Sequence, residues 1–172
     1  GFEQIYVEAP TLDVRRLADG SVLVGGVNLS AGGDKQDSRA ADWLFSQKEI
    51  VIRNGTLRWT DETNGGEPLA LSQLDLTLRN GFRRHQMRLD ALLPEGMGDR
   101  LTLIGKFREP LLQTGSAGWK DWSGQLFASF PRVDIAALGR LLDTGVTIAS
   151  GNGALRAWVD VAKGAVVQGT AD

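Results

Sequence analysis

Most of the chain alternates apolar and polar residues, which is typical of strands that bury one face. Residues 86–93 show this clearly, because Met87 and Leu89 point to one side and the charged residues between and after them to the other. The same alternation runs through residues 100–108 and 119–130. The pattern predicts about ten strands.

The phase of the alternation breaks once, between two groups of leucines. Leu69 and Leu71 have one parity, whereas the leucines at positions 74–78 have the other. A regular strand cannot keep both groups on the same face of a sheet. The sequence therefore predicts a β-bulge near Ser72-Gln73.

Two segments have a helical period instead. The first segment covers residues 38–47, and either Asp37 or Ser38 can cap its N-terminus. Residues 134–142 carry apolar residues on one face and begin with Asp134 as the expected cap. Two short helices are predicted, and we expect their apolar residues to pack in a dry core.

Short loops join most of the predicted strands, which favours an antiparallel meander. Asp19-Gly20 is a hairpin signal before a strand predicted over residues 21–29. Pro131 is expected to end the strand that begins at residue 119. Asn54-Gly55 is expected to form either a tight turn or a bulge.

Two short helices cannot cover the apolar face of so many strands. That face must be shielded by closure into a barrel, by a second sheet or by a ligand. We expect a mainly β fold, a curved antiparallel meander sheet that forms an open groove (half-pipe) with two short helices.

A short motif occurs twice. The segment 54–59 reads NGTLRW, and the segment 152–158 reads NGALRAW with one residue inserted. Each copy follows a predicted helix, which indicates repeated helix-strand units that start near residues 38 and 134. We interpret residues 1–172 as a single β-groove segment of a larger protein.

Composition excludes several function classes. The chain has no cysteine, a net charge of −2 and no long basic run, so thiolate chemistry and a nucleic-acid surface are not indicated. No membrane-spanning segment is visible in the sequence. The glycine-rich stretches lack the patterns that bind nucleotide phosphates.

Candidate catalytic and metal-ligating residues are few. His85 is the only histidine and stands beside a predicted turn among cations, so we expect a solvated loop residue. Asp61, Glu62 and Glu67 crowd one loop without the spacing of a calcium site. We expect neither an enzyme nor a metal or cofactor site. Trp119 and Trp122 could form a carbohydrate platform, but their opposite strand parity favours one packed and one outward ring.

The order of these motifs resembles the AsmA-like superfamily, and within it the YhdP-type branch. The resemblance rests on the strand 50–59 after a helix, on the segment 74–80 (LDLTLRN), and on Trp122-Ser123-Gly124. It spans residues 22–161. It implies a bridge-like lipid transfer protein, anchored in the inner membrane of the Gram-negative envelope, whose apolar β groove crosses the periplasm.

The resemblance implies phospholipid acyl chains and neighbouring repeats of the same full-length chain as partners. It also implies a role in phospholipid transport between the inner and outer membranes. The alternative is a structural or binding β-sandwich or barrel module of an envelope protein, with a filled core. The apolar residues of one parity are the candidates for lining the groove, with a dry core as the competing interpretation: Leu74, Leu76, Leu78, Met87, Leu89, Leu101, Leu103, Phe107, Leu126 and Phe130.

Overall fold

The structure, a computed structural model, describes residues 4–28, 35–63, 65, 68–112, 121–137, 152–163 and 165–172. Eleven strands form one open sheet, so the mainly β prediction is confirmed. One helix, α1 (Lys35–Phe45), lies between the fourth and fifth strands. The strands are β1 (Gln4–Glu8), β2 (Thr11–Arg16), β3 (Val22–Val24), β4 (Val27–Asn28), β5 (Glu49–Asp61), β6 (Leu69–Gly81), β7 (Arg84–Leu92), β8 (Arg100–Arg108), β9 (Ser123–Asp134), β10 (Asn152–Ala162) and β11 (Ala165–Ala171).

From β5 to β11 each strand pairs antiparallel with the next, as the short loops predict. The first two strands differ, because β1 and β2 both run parallel to β5 along its other edge. A parallel pair needs a long crossover connection, and residues 17–48 with α1 provide it. The local alternation contains no information on this pairing, so the expectation of a meander is wrong there.

β1 and β2 both pair with the same edge of β5. The kink between them lies opposite a bulge in β5. Ala9 and Asn54 both have positive φ, at 52° each. The N–H of Ala9 donates to Arg53 O at 2.7 Å, and the N–H of Thr56 donates to Pro10 O at 2.8 Å. The Asn54-Gly55 pair is therefore a bulge inside a long strand and not a turn.

The bulge predicted near Ser72-Gln73 is confirmed. Gln73 has a φ of 46°, and the register between β6 and β7 shifts between Ser72 and Asp75. As a result, Leu71 and Leu74 pack in the same apolar cluster despite their opposite parity.

β9 continues through Pro131 to Asp134, so the expectation that Pro131 ends the strand is wrong. The register between β9 and β10 shifts in this region, between the pairs Val133–Gly153 and Phe130–Leu155. Proline has no N–H to donate, and it is tolerated where a bulge interrupts the ladder.

The helical predictions are partly confirmed. α1 begins at Lys35, three residues before the predicted start. Asp134 caps a second helical turn, because its Oδ1 accepts a hydrogen bond from the N–H of Ala137 at 3.0 Å. Residues 138–142 of that predicted helix lie outside the described residues. The segment 21–29 is not one strand, since positive φ at Gly25 and Gly26 separates β3 from β4.

Two small clusters form the described core. One lies between β7, β8 and β9 and contains Leu93, Leu101, Phe130 and Val133. The other lies between β5, β6 and β7 and contains Ile52, Leu74 and Ala91. Both lie on the same side of the sheet, which we call the inner face.

The opposite side, the outer face, is mostly polar. Asp90 accepts hydrogen bonds there from the Thr102 hydroxyl at 2.7 Å and from Arg88 Nε at 3.0 Å. Burial alone would raise the pKa of Asp90, but these two donors outweigh it and hold the pKa below its ordinary value. The outer face is therefore stabilised mainly by hydrogen bonds and ion pairs, with apolar packing at Val51 and between Phe127 and Trp158.

We predict that Gly124→Ala destabilises the sheet while Gly153→Ala does not. A Cβ at Gly124 would meet Lys106 O and lie 2.8 Å from the Cα of Phe107, and backbone atoms cannot move aside cheaply. A Cβ at Gly153 meets nothing within 4 Å. Overpacking of this kind costs roughly 1–3 kcal/mol, so the free energy of unfolding should fall by about that amount for Gly124→Ala.

Urea denaturation of both variants measures the difference. Gly153→Ala is the control for adding a methyl group to a strand glycine. Equal midpoints for the two variants would mean that β8 and β9 do not approach each other as closely as described.

Candidate functional site

The inner face consists of rows of side chains that run across the strands. We number four of these rows, and the first is the row that contains His85. The register places the second row at Ile50, Leu78, Met87, Gly105, Leu126 and Val159. The third row contains Ile52, Leu76, Leu89, Leu103, Ala128 and Ala157.

The rows on either side form two rims. The first row contains His85, Phe107, Gly124 and Val161. The fourth contains the buried Leu74, Ala91, Leu101 and Phe130 together with Leu155. Along β7 the first and fourth rows are about 20 Å apart, at 3.4 Å per residue.

All of the residues predicted to line a groove lie on this inner face, but they divide by burial. Leu74, Leu101 and Phe130 are buried, with 1%, 7% and 8% of their surface exposed. The others are half-buried: Leu76, Leu78, Met87, Leu89, Leu103, Phe107 and Leu126. The middle of the inner face is thus an apolar floor that side chains of the described residues cover only in part.

Aromatic rings close the first rim. Trp122 stacks on the His85 ring at a centroid distance of 3.5 Å, with the planes 9° apart. Phe45, at the end of α1, meets the same indole edge-on at 5.1 Å. α1 is therefore attached to the sheet at this rim, and we call the group of Phe45, His85, Phe107 and Trp122 the aromatic rim.

His85 is buried in a strand, so the expectation of a solvated loop residue is wrong. Its ring Nδ1 lies 2.8 Å from Asn80 Oδ1, and its Nε2 lies 3.0 Å from Glu109 Oε1. Asn80 donates its own Nδ2 to Gln47 O, which fixes Oδ1 toward the ring. Both ring nitrogens of His85 are therefore engaged by side-chain oxygens of the same chain.

Few local patterns in the sequence predict this site. Asn80 is close to His85 across the β6–β7 turn, but Glu109 and Trp122 come from later strands and loops. Of the four residues of the aromatic rim, only Phe107 is predicted from the sequence to line the groove. An isolated histidine at an apolar parity position, two residues before Met87, was the one available signal.

A cavity of about 260 Å³ lies between the aromatic rim and the second row. Almost all of its wall is apolar. Its lining consists of Phe45, Leu78, Asn80, His85, Gln86, Met87, Phe107, Trp122 and Val161. We call it the rim cavity.

The opposite rim is closed by the loop between β7 and β8. Leu93 donates its N–H to Asp99 O at 2.8 Å, and Asp134 donates to Met97 O at 2.7 Å. Gly98 has a φ of 149° and lies against Val133, where a Cβ would meet backbone. This loop rim covers the fourth row, which explains why those side chains are buried.

Other sequence candidates are accounted for as follows. Asp61 accepts bonds from the N–H and hydroxyl of Thr63 and lies 3.5 Å from Arg16, so its oxygens have partners in the chain. Within the described ranges, no cluster of three or more histidine or carboxylate side chains could hold a metal ion. Glu67 and Trp119 lie outside the described residues.

The two copies of the repeated motif are not equivalent. Both coincide with a register shift, at Asn54-Gly55 in β5 and after Gly153 in β10. Trp59 has the parity of Leu57, which packs toward the core on the inner face. The inserted residue in the second copy turns Trp158 to the outer face, where it contacts Phe127 at 5.3 Å.

Comparison with known proteins identifies a family. The sequence model of the family described as YhdP protein matches residues 1–172, the full length of the chain. No curated protein and no solved structure matches the chain. In the part of the chain that the structure describes, no helix has the length and apolarity needed to cross a membrane.

We predict that His85→Phe lowers the free energy of unfolding by about 1–3 kcal/mol, because it keeps a stacked ring but removes the hydrogen bonds to Asn80 and Glu109. His85→Ala should lower it further, since the contact with Trp122 is lost as well. Chemical denaturation followed by tryptophan fluorescence measures both. Gln86→Ala, at the exposed neighbouring position, is the control, and a His85→Phe variant as stable as wild type would contradict the assigned hydrogen bonds.

Proposed function

Because the chain belongs to the YhdP protein family, we propose that it is one segment of an AsmA-like envelope protein and that its inner face binds phospholipid acyl chains. In this proposal the apolar floor carries lipid through the periplasm between the inner and outer membranes. The protein acts by binding alone and performs no covalent chemistry.

The half-buried floor between the two rims is the observation that supports the proposal. Leucine and methionine side chains fill it, and the register keeps them on one face across β6, β7, β8 and β9. Soluble monomers rarely expose a contiguous apolar surface of this kind unless it binds something. The polar outer face, by contrast, can remain in water.

Energetics favour a lipid chain as the occupant. Moving a buried CH₂ group into water costs about 0.8 kcal/mol, so a sixteen-carbon chain would cost on the order of 12 kcal/mol. A floor of aliphatic side chains offsets much of this cost without directional bonds. It therefore binds a chain and still allows it to slide.

The sheet edges suggest how segments join. β11 forms one edge, and Val166 and Val167 on it are 71% and 66% exposed. A strand edge with unpaired N–H and C=O groups can pair with another strand. We propose that neighbouring repeats of the same full-length chain extend the sheet, and that an anchor in the inner membrane lies in another part of that chain.

A filled structural module is the second candidate. The buried residues Leu74, Leu101 and Phe130 favour it, because they form a dry core without any ligand. This interpretation predicts that the remaining floor is covered by protein. The two candidates therefore differ in whether lipid accompanies the purified segment.

We expect the segment, purified without detergent, to contain phospholipid in near-stoichiometric amounts. Extraction and lipid mass spectrometry measure it. The control is Leu103→Asp, which places a charge in the third row and should lower the bound lipid because a buried charge without a partner is costly. A monodisperse, lipid-free protein that also excludes hydrophobic dyes would support the filled module instead.

We expect a photo-crosslinking residue at Leu103 to capture lipid and the same residue at Ile104 not to do so. The two positions are adjacent on β8, and both are half-buried and aliphatic, but they point to opposite faces. Mass spectrometry of the crosslinked protein measures the yield. Equal lipid capture at both positions would refute the assignment of the inner face as the binding surface.

A further inference from the structure

We propose that the rim cavity holds the methyl end of one acyl chain, with the lipid headgroup outside the cavity. The identity of the ligand as a phospholipid rests on the proposed function. The binding of a hydrocarbon chain in the cavity does not. It assigns an orientation to the bound chain, which the apolar floor alone does not do.

The size of the cavity fits the end of a hydrocarbon chain. An apolar cavity of about 150 Å³ holds one benzene ring, so a cavity of about 260 Å³ has room for on the order of ten carbons. Leu78 and Met87, which line it, also belong to the second row. A chain that enters the cavity is therefore continuous with the apolar floor.

Two of the polar side chains of the lining are already hydrogen-bonded within the chain. Asn80 uses Nδ2 on Gln47 O and Oδ1 on His85, and both ring nitrogens of His85 have acceptors. Gln86 is exposed and has the parity of the outer face. A headgroup in the cavity would lose its water and face a wall that is almost entirely apolar, which is a costly exchange.

Charge near the cavity also disfavours a phosphate there. Glu109 accepts from His85 at the wall, and its carboxylate would repel a second anion. The nearest exposed cations of this rim, Arg84 and Arg108, lie opposite each other with the parity of the outer face. They are outside the cavity, on the far side of the sheet from its lining.

Two side chains form the cover of the cavity. Phe45 approaches from α1 and Trp122 from the residue before β9, and their rings are in contact. His85 holds Trp122 in place by stacking, so His85 is a positioning residue for the cover. Its two nitrogens are engaged by Asn80 and Glu109.

Photo-methionine tests the proposal directly, because the chain has two methionines. Met87 lines the cavity, whereas Met97 packs against the buried cluster under the loop rim. Met97 is thus an internal control in the same molecule. The photoproduct on each residue is located by peptide mass spectrometry, and the linked carbon of the chain by fragmentation.

Two probes separate the cavity from the transport function. Hexadecane has no headgroup and tests the cavity alone, and vesicles of dipalmitoyl phosphatidylglycerol test the orientation. We expect hexadecane to crosslink to Met87 and not to Met97. With the phospholipid, we expect linkage at Met87 within the last ten or so carbons of the chain.

Each other outcome has a definite meaning. No hexadecane at Met87 overturns the cavity assignment. Hexadecane without phospholipid at Met87 keeps the cavity and overturns the proposed function. Linkage near the glycerol overturns the orientation and would place the headgroup at the aromatic rim.

A cavity-filling variant gives a second readout. Val161→Phe adds bulk at the wall and should lower hexadecane crosslinking at Met87 by roughly tenfold. Ile104→Phe adds similar bulk on the outer face and should leave it unchanged. Unchanged crosslinking in a folded Val161→Phe protein would overturn the proposal. If either variant does not fold, the measurement on the wild-type protein still tests it.

Discussion

The structure depends on one constraint: successive strands must keep their apolar residues on the same face of a single sheet. Side chains alternate with a period of two, so any inserted residue would move the rest of a strand to the other face. The chain meets the constraint with bulges at Asn54-Gly55, near Gln73 and at Pro131-Arg132 in β9, opposite Ala154. These bulges let long strands change phase or direction while the inner face remains apolar from β5 to β10.

This constraint explains which features were predictable from sequence. The bulge near Gln73 follows from leucine parity alone, and so does the common face of the candidate lining residues. The parallel pairing of β1 and β2 with β5 is different, because it depends on contacts between residues far apart in the chain. His85 was misjudged for the same reason, since Glu109 and Trp122 reach it from later in the chain. The local alternation of residues indicates which face of a strand is apolar. It does not indicate which other strands or side chains that strand contacts.

Different kinds of contact cover the apolar inner face at its two rims. At the loop rim, backbone hydrogen bonds from Leu93 and Asp134 hold a short loop over the fourth row, and the side chains beneath it are fully buried. At the aromatic rim, rings from α1 and from the start of β9 meet over the sheet and leave a cavity. Gly124 makes this second arrangement possible, because any side chain there would collide with the backbone of β8.

The difference between the rims has a consequence for movement along the proposed groove. A floor of half-buried leucines covers a lipid chain on one side only, so each CH₂ there gains a fraction of the roughly 0.8 kcal/mol of full burial. The rim cavity contacts the chain both from the sheet and from the rings of Phe45 and Trp122, so each group gains more there. If about ten carbons each gain an extra 0.3–0.4 kcal/mol there, the bound state is deeper by roughly 3–4 kcal/mol, and departure is slower by a factor of several hundred. A segment built in this way would hold a chain end in its rim cavity before releasing it to the floor, so the proposed transport would pause at this cavity and would not be continuous sliding.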